Sequence, residues 1–116
     1  QWLMFQIGGG GPMFGQGGFF TKFAGKDFED KRPRDRYVAE ARRLLGVIDA
    51  QLARNAWIAC DEFTIADIAI LPWVNNLFTF YEASELVGAD DFKHIAATLE
   101  KFLARPSVQK GLKIPA

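Results

Sequence analysis

The sequence predicts an all-α domain, a helical bundle of about five helices. Three observations lead there. Apolar residues recur at three- and four-residue steps in several long segments, a helix-start signature stands at residues 63–68, and no segment sustains the period-two alternation of a half-buried strand. With 116 residues, 49% of them hydrophobic and 24% charged, the chain can bury one core, so residues 1–116 read as a single domain.

The first helix is expected in QWLMFQIGGGGPMFGQGGFF. It opens on Gln1-Trp2-Leu3 with no capping residue, initiator Met or leader signal, which reads as a chain that starts inside a helix. Its glycines are not a phosphate loop. Gly10 to Gly15 is followed by Gln16-Gly17 rather than Lys and Ser or Thr, and no register completes a Gly-x-Gly-x-x-Gly after a strand. Nor are they a linker, since apolar segments flank them on both sides. The remaining reading is a helix thinned of side chains so that another helix or a ligand can approach its backbone. Trp2, Leu3 and Phe5 are assigned to the core, while Met13, Phe14, Gln16 and Phe20 are candidates to line a pocket or interface.

Residues 26–36, KDFEDKRPRDR, carry nine charges, five positive and four negative, and read as a solvated loop leading into a helix. The helix over residues 33–54 is the clearest in the chain: Tyr37, Ala41, Leu44, Leu45, Ile48 and Leu52 form one stripe, Pro33 suits the first turn and Asn55 a stop. Glu40 and Arg43 are spaced to pair on its wet side, for about 0.2–0.5 kcal/mol. The next helix starts at Phe63-Thr64-Ile65-Ala66-Asp67-Ile68. Thr64 and Asp67 are placed to exchange hydrogen bonds as a capping box, and Phe63 to pack on Ile68 as a staple. Pro72 inside that helix predicts a kink near residues 68–72. A further helix is expected over residues 91–104 on Phe92, Ile95, Leu99, Phe102 and Leu103, and Pro106 opens a last short one through Val108 and Leu112.

Fourteen basic residues balance fourteen acidic ones, so the chain lacks the charge footprint of a nucleic-acid or anionic-membrane binder. Asp67 interrupts the longest apolar run well short of the roughly 18 residues of a spanning helix. One cysteine, Cys60, excludes an internal disulfide, fits a reducing compartment and points to the cytoplasm; it reads as an inert structural thiol. With one cysteine and one histidine, His94, no protein zinc site and no His–Cys catalytic pair is supported. Glu62 and Asp67 do not make an acid–base pair, because the cap employs Asp67. No residue of the chain is assigned as catalytic.

Three motifs, in order and spanning nearly the whole chain, carry a family resemblance. FTIADIA with PWVN, residues 63–69 and 72–75, resembles the capped, buried helix in the C-terminal all-helical domain of glutathione transferases. QWLMFQIGGGGPMFGQ resembles the first helix of that domain in the bacterial nu-class and fungal prion-related branch, and Pro33 through Tyr37, running to Glu40, Arg43 and Asp49, is similar to that branch's entry to the second helix. The resemblance implies an upstream thioredoxin-like domain that activates the thiol, a parent enzyme that is a glutathione transferase or disulfide reductase, glutathione as co-substrate with no metal, and a homodimer. Arg36 is implied to contact glutathione, and Met13, Phe14, Gln16 and Phe20 to wall the pocket for a hydrophobic electrophile or disulfide. The alternative is a non-catalytic interaction module, since the family also contains such members. Cys60 stands where the family usually has glycine, and residues 17–32 form a longer connection than in the nearest branch.

Overall fold

The computed structural model describes residues 1–114, so the last two residues of the 1–116 domain lie outside the described part. Every regular element in it is helical: α1 (Trp2–Phe5), a π-helical turn (Gln6–Gly10), α2 (Gly11–Thr21), a 3₁₀ turn (Ala24–Asp27), α3 (Arg32–Leu52), α4 (Ile65–Phe78), α5 (Ser84–Val87), a second 3₁₀ turn (Ala89–Asp91), α6 (Lys93–Leu103) and α7 (Pro106–Gly111). The expected all-helical bundle is present.

α1, the π turn and α2 form one continuous run, and the wide turn has a physical cause. In a regular helix the ring of Pro12 would collide with the carbonyl of Gly8 and leave it without a donor. A π turn at Gln6–Gly10 relieves that clash, and glycine backbone tolerates the change in dihedral angles. Farther along, α2 packs tightly. A β-carbon on Gly18 would stand 2.6 Å from the Tyr81 ring, so this position is glycine by steric necessity.

α3 carries the centre of the core. Ala41, Leu44, Leu45, Ile48 and Leu52 are buried on one stripe, as the spacing predicts, and meet Phe14 from α2, Ile70, Leu71, Val74 and Leu77 from α4, and Ile95 and Phe102 from α6. Pro33 lies in the first turn of α3, and Asn55 Nδ2 donates to the carbonyl of Gln51 at 3.1 Å, so the residue read as a stop caps the helix end.

α4 starts as the sequence predicts. Thr64 Oγ1 accepts from the N–H of Ala66 at 3.2 Å, the Asp67 carboxylate accepts from the N–H of Thr64 at 2.8 Å, and the reciprocal capping box is complete. The staple differs. Ile68 is 54% exposed, and the aromatic partners of Phe63 are Trp57, at 5.0 Å between ring centroids, and Phe102, at 6.3 Å, with the Arg105 guanidinium 3.8 Å above its ring. Position 68 falls on the outer side of α4, so Phe63 turns toward α6 instead. Asp67 is also busier than its local pattern implies: its second oxygen accepts from the buried N–H of Ile58 at 2.9 Å, tying the loop of residues 53–64 to α4. α4 then runs unbroken through Pro72.

α5 ends at Gly88, whose φ of 65° is the left-handed conformation that glycine adopts without penalty. α6 has no capping side chain of its own. Asp49, on α3, supplies one: it accepts from the N–H of Ile95 at 2.9 Å and pairs with His94 Nδ1 at 3.0 Å.

Candidate functional site

Arg36 lies on the first turns of α3, where Pro33 sets the helix entry and Tyr37, stacked on Phe20 with ring centroids 5.6 Å apart, anchors it to α2. The chain has seven arginines. Six of them hold a partner: Arg32 binds Asp30, Arg34 binds Asp35, Arg42 reaches Asp91 and the Val87 carbonyl, Arg43 binds Glu40, Arg54 contacts Gln51 and Arg105 lies over Phe63. Arg36 alone has no hydrogen-bond, ion-pair or aromatic partner among the described residues. An exposed guanidinium with five unused donors is a ready receptor for a carboxylate or phosphate.

It borders a cavity of about 490 Å³ lined by Met13, Arg36, Tyr37, Ala39, Glu40 and Arg43. Within it, Arg43 grips Glu40 with two bonds of 2.8 Å, the pairing its spacing predicts. That hydrogen bonding holds the Glu40 carboxyl below the ordinary glutamate range against a small opposing effect of burial, with lesser help from the positive charges of Arg43 and Arg36. The cavity therefore carries two cations and one anion over an apolar floor.

The four residues expected to wall one pocket are dispersed. Met13 joins Arg36. Gln16 lines a different, shallow groove of about 470 Å³ with Ile7, Gly11, Gly15 and Trp73. Phe20 touches the Arg36 cavity only through Tyr37 and belongs to an aromatic cluster with Phe19 and Phe28. Phe14 is fully buried among the core leucines and borders neither of these cavities. On an α-helix Met13 and Gln16 stand about 60° apart, while Phe14 is about 100° from Met13 and about 160° from Gln16, and residue spacing alone does not say which arc faces inward.

The glycine run also divides. A β-carbon on Gly11 would come within 2.6 Å of the Gln6 side-chain amide, 3.3 Å of the Gln6 carbonyl and 3.4 Å of Trp73, so a side chain there would have to displace the Gln6 amide and press on its neighbours. One on Gly8 would meet nothing within 4 Å, and Met4 and Ile7 beside it are exposed. Nothing inside the chain requires that backbone to be bare.

Cys60 is an exposed thiol in the loop of residues 53–64, its Sγ 3.7 Å from the carbonyl of Glu62, not a buried structural one. Its φ is negative, because Glu82 is the one non-glycine residue with positive φ among those described, so the turn accepts cysteine without left-handed strain. No cluster of three His, Cys, Asp or Glu side chains suited to a metal occurs among the described residues, and none of their helices is long and apolar enough to cross a membrane. Glu40, Tyr37 and Arg43 were not singled out as site residues from sequence. The available signal was the spacing of Glu40 and Arg43, one and two helical turns after Arg36, and the adjacency of Tyr37 to it.

Comparison with known proteins places the fold. The profile of the glutathione S-transferase, C-terminal domain matches residues 12–106. The disulfide-bond oxidoreductase YghU of Escherichia coli is 39% identical over 96% of the chain, which covers 38% of that protein. A glutathione transferase family member from Pseudomonas fluorescens, solved with two glutathione molecules bound, superposes with a TM-score of 0.97 at 62% identity, over 99% of this chain and 51% of that one. A glutathione transferase from Pseudomonas putida, solved with one glutathione disulfide per subunit, gives the same TM-score and identity over 100% of this chain and 50% of that one. The chain thus spans about half the length of these relatives or less.

Proposed function

Since the chain belongs to the glutathione S-transferase C-terminal domain family, we propose that it is the helical half of a glutathione-dependent transferase or disulfide reductase in which Arg36 receives a carboxylate of glutathione. The observation that carries this reading is the one arginine left unpartnered, set at the rim of a cavity. Its planar fork suits a carboxylate in two-point contact, which a lysine cannot reproduce. The similar structures that hold glutathione or its disulfide make that tripeptide the ligand to test first.

In this proposal a thioredoxin-like domain outside the chain ionises the glutathione thiol, and the thiolate attacks a disulfide or another electrophile. Met13 and, through Tyr37, Phe20 form the apolar side of the reacting region, while Gln16 faces a separate groove. By itself the chain is proposed to be inactive. The exposed strip of Met4, Ile7 and Gly8 is proposed to meet that domain or a second subunit of a homodimer, and a reducing, cytoplasmic setting suits the exposed thiol of Cys60.

The test is retention of the intact protein on immobilised glutathione together with glutathione-dependent reduction of a small disulfide. Retention with turnover supports the enzyme. A protein that shows neither would be an interaction module instead. Gly8→Leu should weaken dimerisation or turnover, and it tests the bare strip cleanly because a side chain there disturbs nothing within the chain.

A further inference from the structure

We propose that Glu40 is a specificity-determining residue: by holding Arg43 aside, it leaves Arg36 as the single guanidinium that meets the ligand and so restricts the site to one singly charged anionic group. The proposal rests on the reading of Arg36 given above and adds to it a reason for the site's charge.

The cavity holds two guanidiniums and one carboxylate on the same face of α3. Glu40 follows Arg36 by four residues and precedes Arg43 by three, so both lie within its reach. Its two oxygens are both committed to Arg43. The order of charges along the helix explains the choice: an acid ahead of its base is the favourable arrangement with respect to the backbone dipole, and a base ahead of its acid, as Arg36 stands to Glu40, is the poorer one. Arg36 is therefore the cation left open.

The pair adds little to the fold. The Arg43 side chain is 61% exposed and that of Glu40 34%, a setting in which ion pairs are weak. What the pair does control is where positive charge stands. Arg36 and Arg43 are two turns apart, roughly 10 Å along the axis, and two long side chains span that gap readily. Once released, Arg43 would join Arg36 on a doubly charged group such as sulfate or phosphate. While Glu40 holds it, such a group meets one cation and a nearby carboxylate that repels it.

The probe is inorganic sulfate competing with glutathione in calorimetric titrations of the intact protein. Glu40→Gln should lower the sulfate inhibition constant roughly fivefold, the effect of one unit charge a few ångströms away in water. Adding Arg43→Gln to it should restore the original constant, and Glu40→Asp should stay near wild type. A merely structural role would lower thermal stability in Glu40→Gln without moving the sulfate constant. An unchanged constant in Glu40→Gln, or a raised sensitivity that persists in the double variant, would overturn the proposal. An Arg36→Gln variant with unaltered glutathione affinity would strike the reading of the site itself, a separate outcome from any sulfate result.

Discussion

The starts of α4 and α6 solve the same problem in opposite ways. Each helix must satisfy backbone N–H groups that have no intrahelical partner. α4 does so within four consecutive residues, Thr64 to Asp67, while α6 has no capping side chain and borrows Asp49 from α3, 46 positions before Ile95. The first device can be read from a short string of letters. The second exists only once α3 and α6 lie side by side, so its loss should loosen the packing of two helices as well as fray one.

That contrast can be broken at three points. Asp67→Ala should have the largest effect, about 3 kcal/mol or more, because it orphans the N–H groups of both Thr64 and the buried Ile58, each worth roughly 1–3 kcal/mol. The check is a shift in denaturation midpoint at constant denaturant slope. Asp49→Ala should cost about 1–2 kcal/mol, with amide exchange accelerating first at Ile95; exchange that accelerates only in step with global unfolding would show that Asp49 is no local cap. Thr64→Ala should cost about 1 kcal/mol and leave the Ile58 amide protected, since the bond from Asp67 survives it.

The smallest effect belongs to Glu40. Its carboxyl is held below the ordinary range by the bond to Arg43, so the stabilisation it gives is fully present at neutral pH and is lost as pH falls through the folded-state value. Partial exposure limits the gain to about 0.5 kcal/mol or less. In Glu40→Gln the stability curve should flatten slightly on the acid side; a larger loss at alkaline pH would contradict the assignment.

The same contrast explains how much was legible. α3 and α4 were readable because amphipathic spacing and a capping box are local codes, and the buried stripe from Ala41 to Leu52 repeats the expected one. The π turn was missed because it follows from a proline acting on a carbonyl four residues back in a glycine run, a steric conflict whose outcome spacing does not reveal. At the site, a resemblance pointed to Arg36, but its unpartnered state depends on where every other carboxylate ends up. Glu40 was visible as half of an ion pair; that it withholds itself from Arg36 appears only when both guanidiniums border one cavity. Among the α2 residues, the burial of Phe14 was not legible for a rotational reason, since sequence does not say which arc of α2 its neighbours cover.

The central claim is that the guanidinium of Arg36 binds a carboxylate of glutathione, and the most direct measurement is a two-sided titration. Wild-type protein and Arg36→Gln would each be titrated with glutathione and with its two monoamides, neutralised at either the glycyl or the glutamyl carboxylate. Arg36→Gln should weaken glutathione about tenfold or more, the strength of a charge-assisted hydrogen bond, and should cost far less against one of the two amides. Equal affinities of the two proteins for glutathione, or an equal loss against all three ligands, would contradict it.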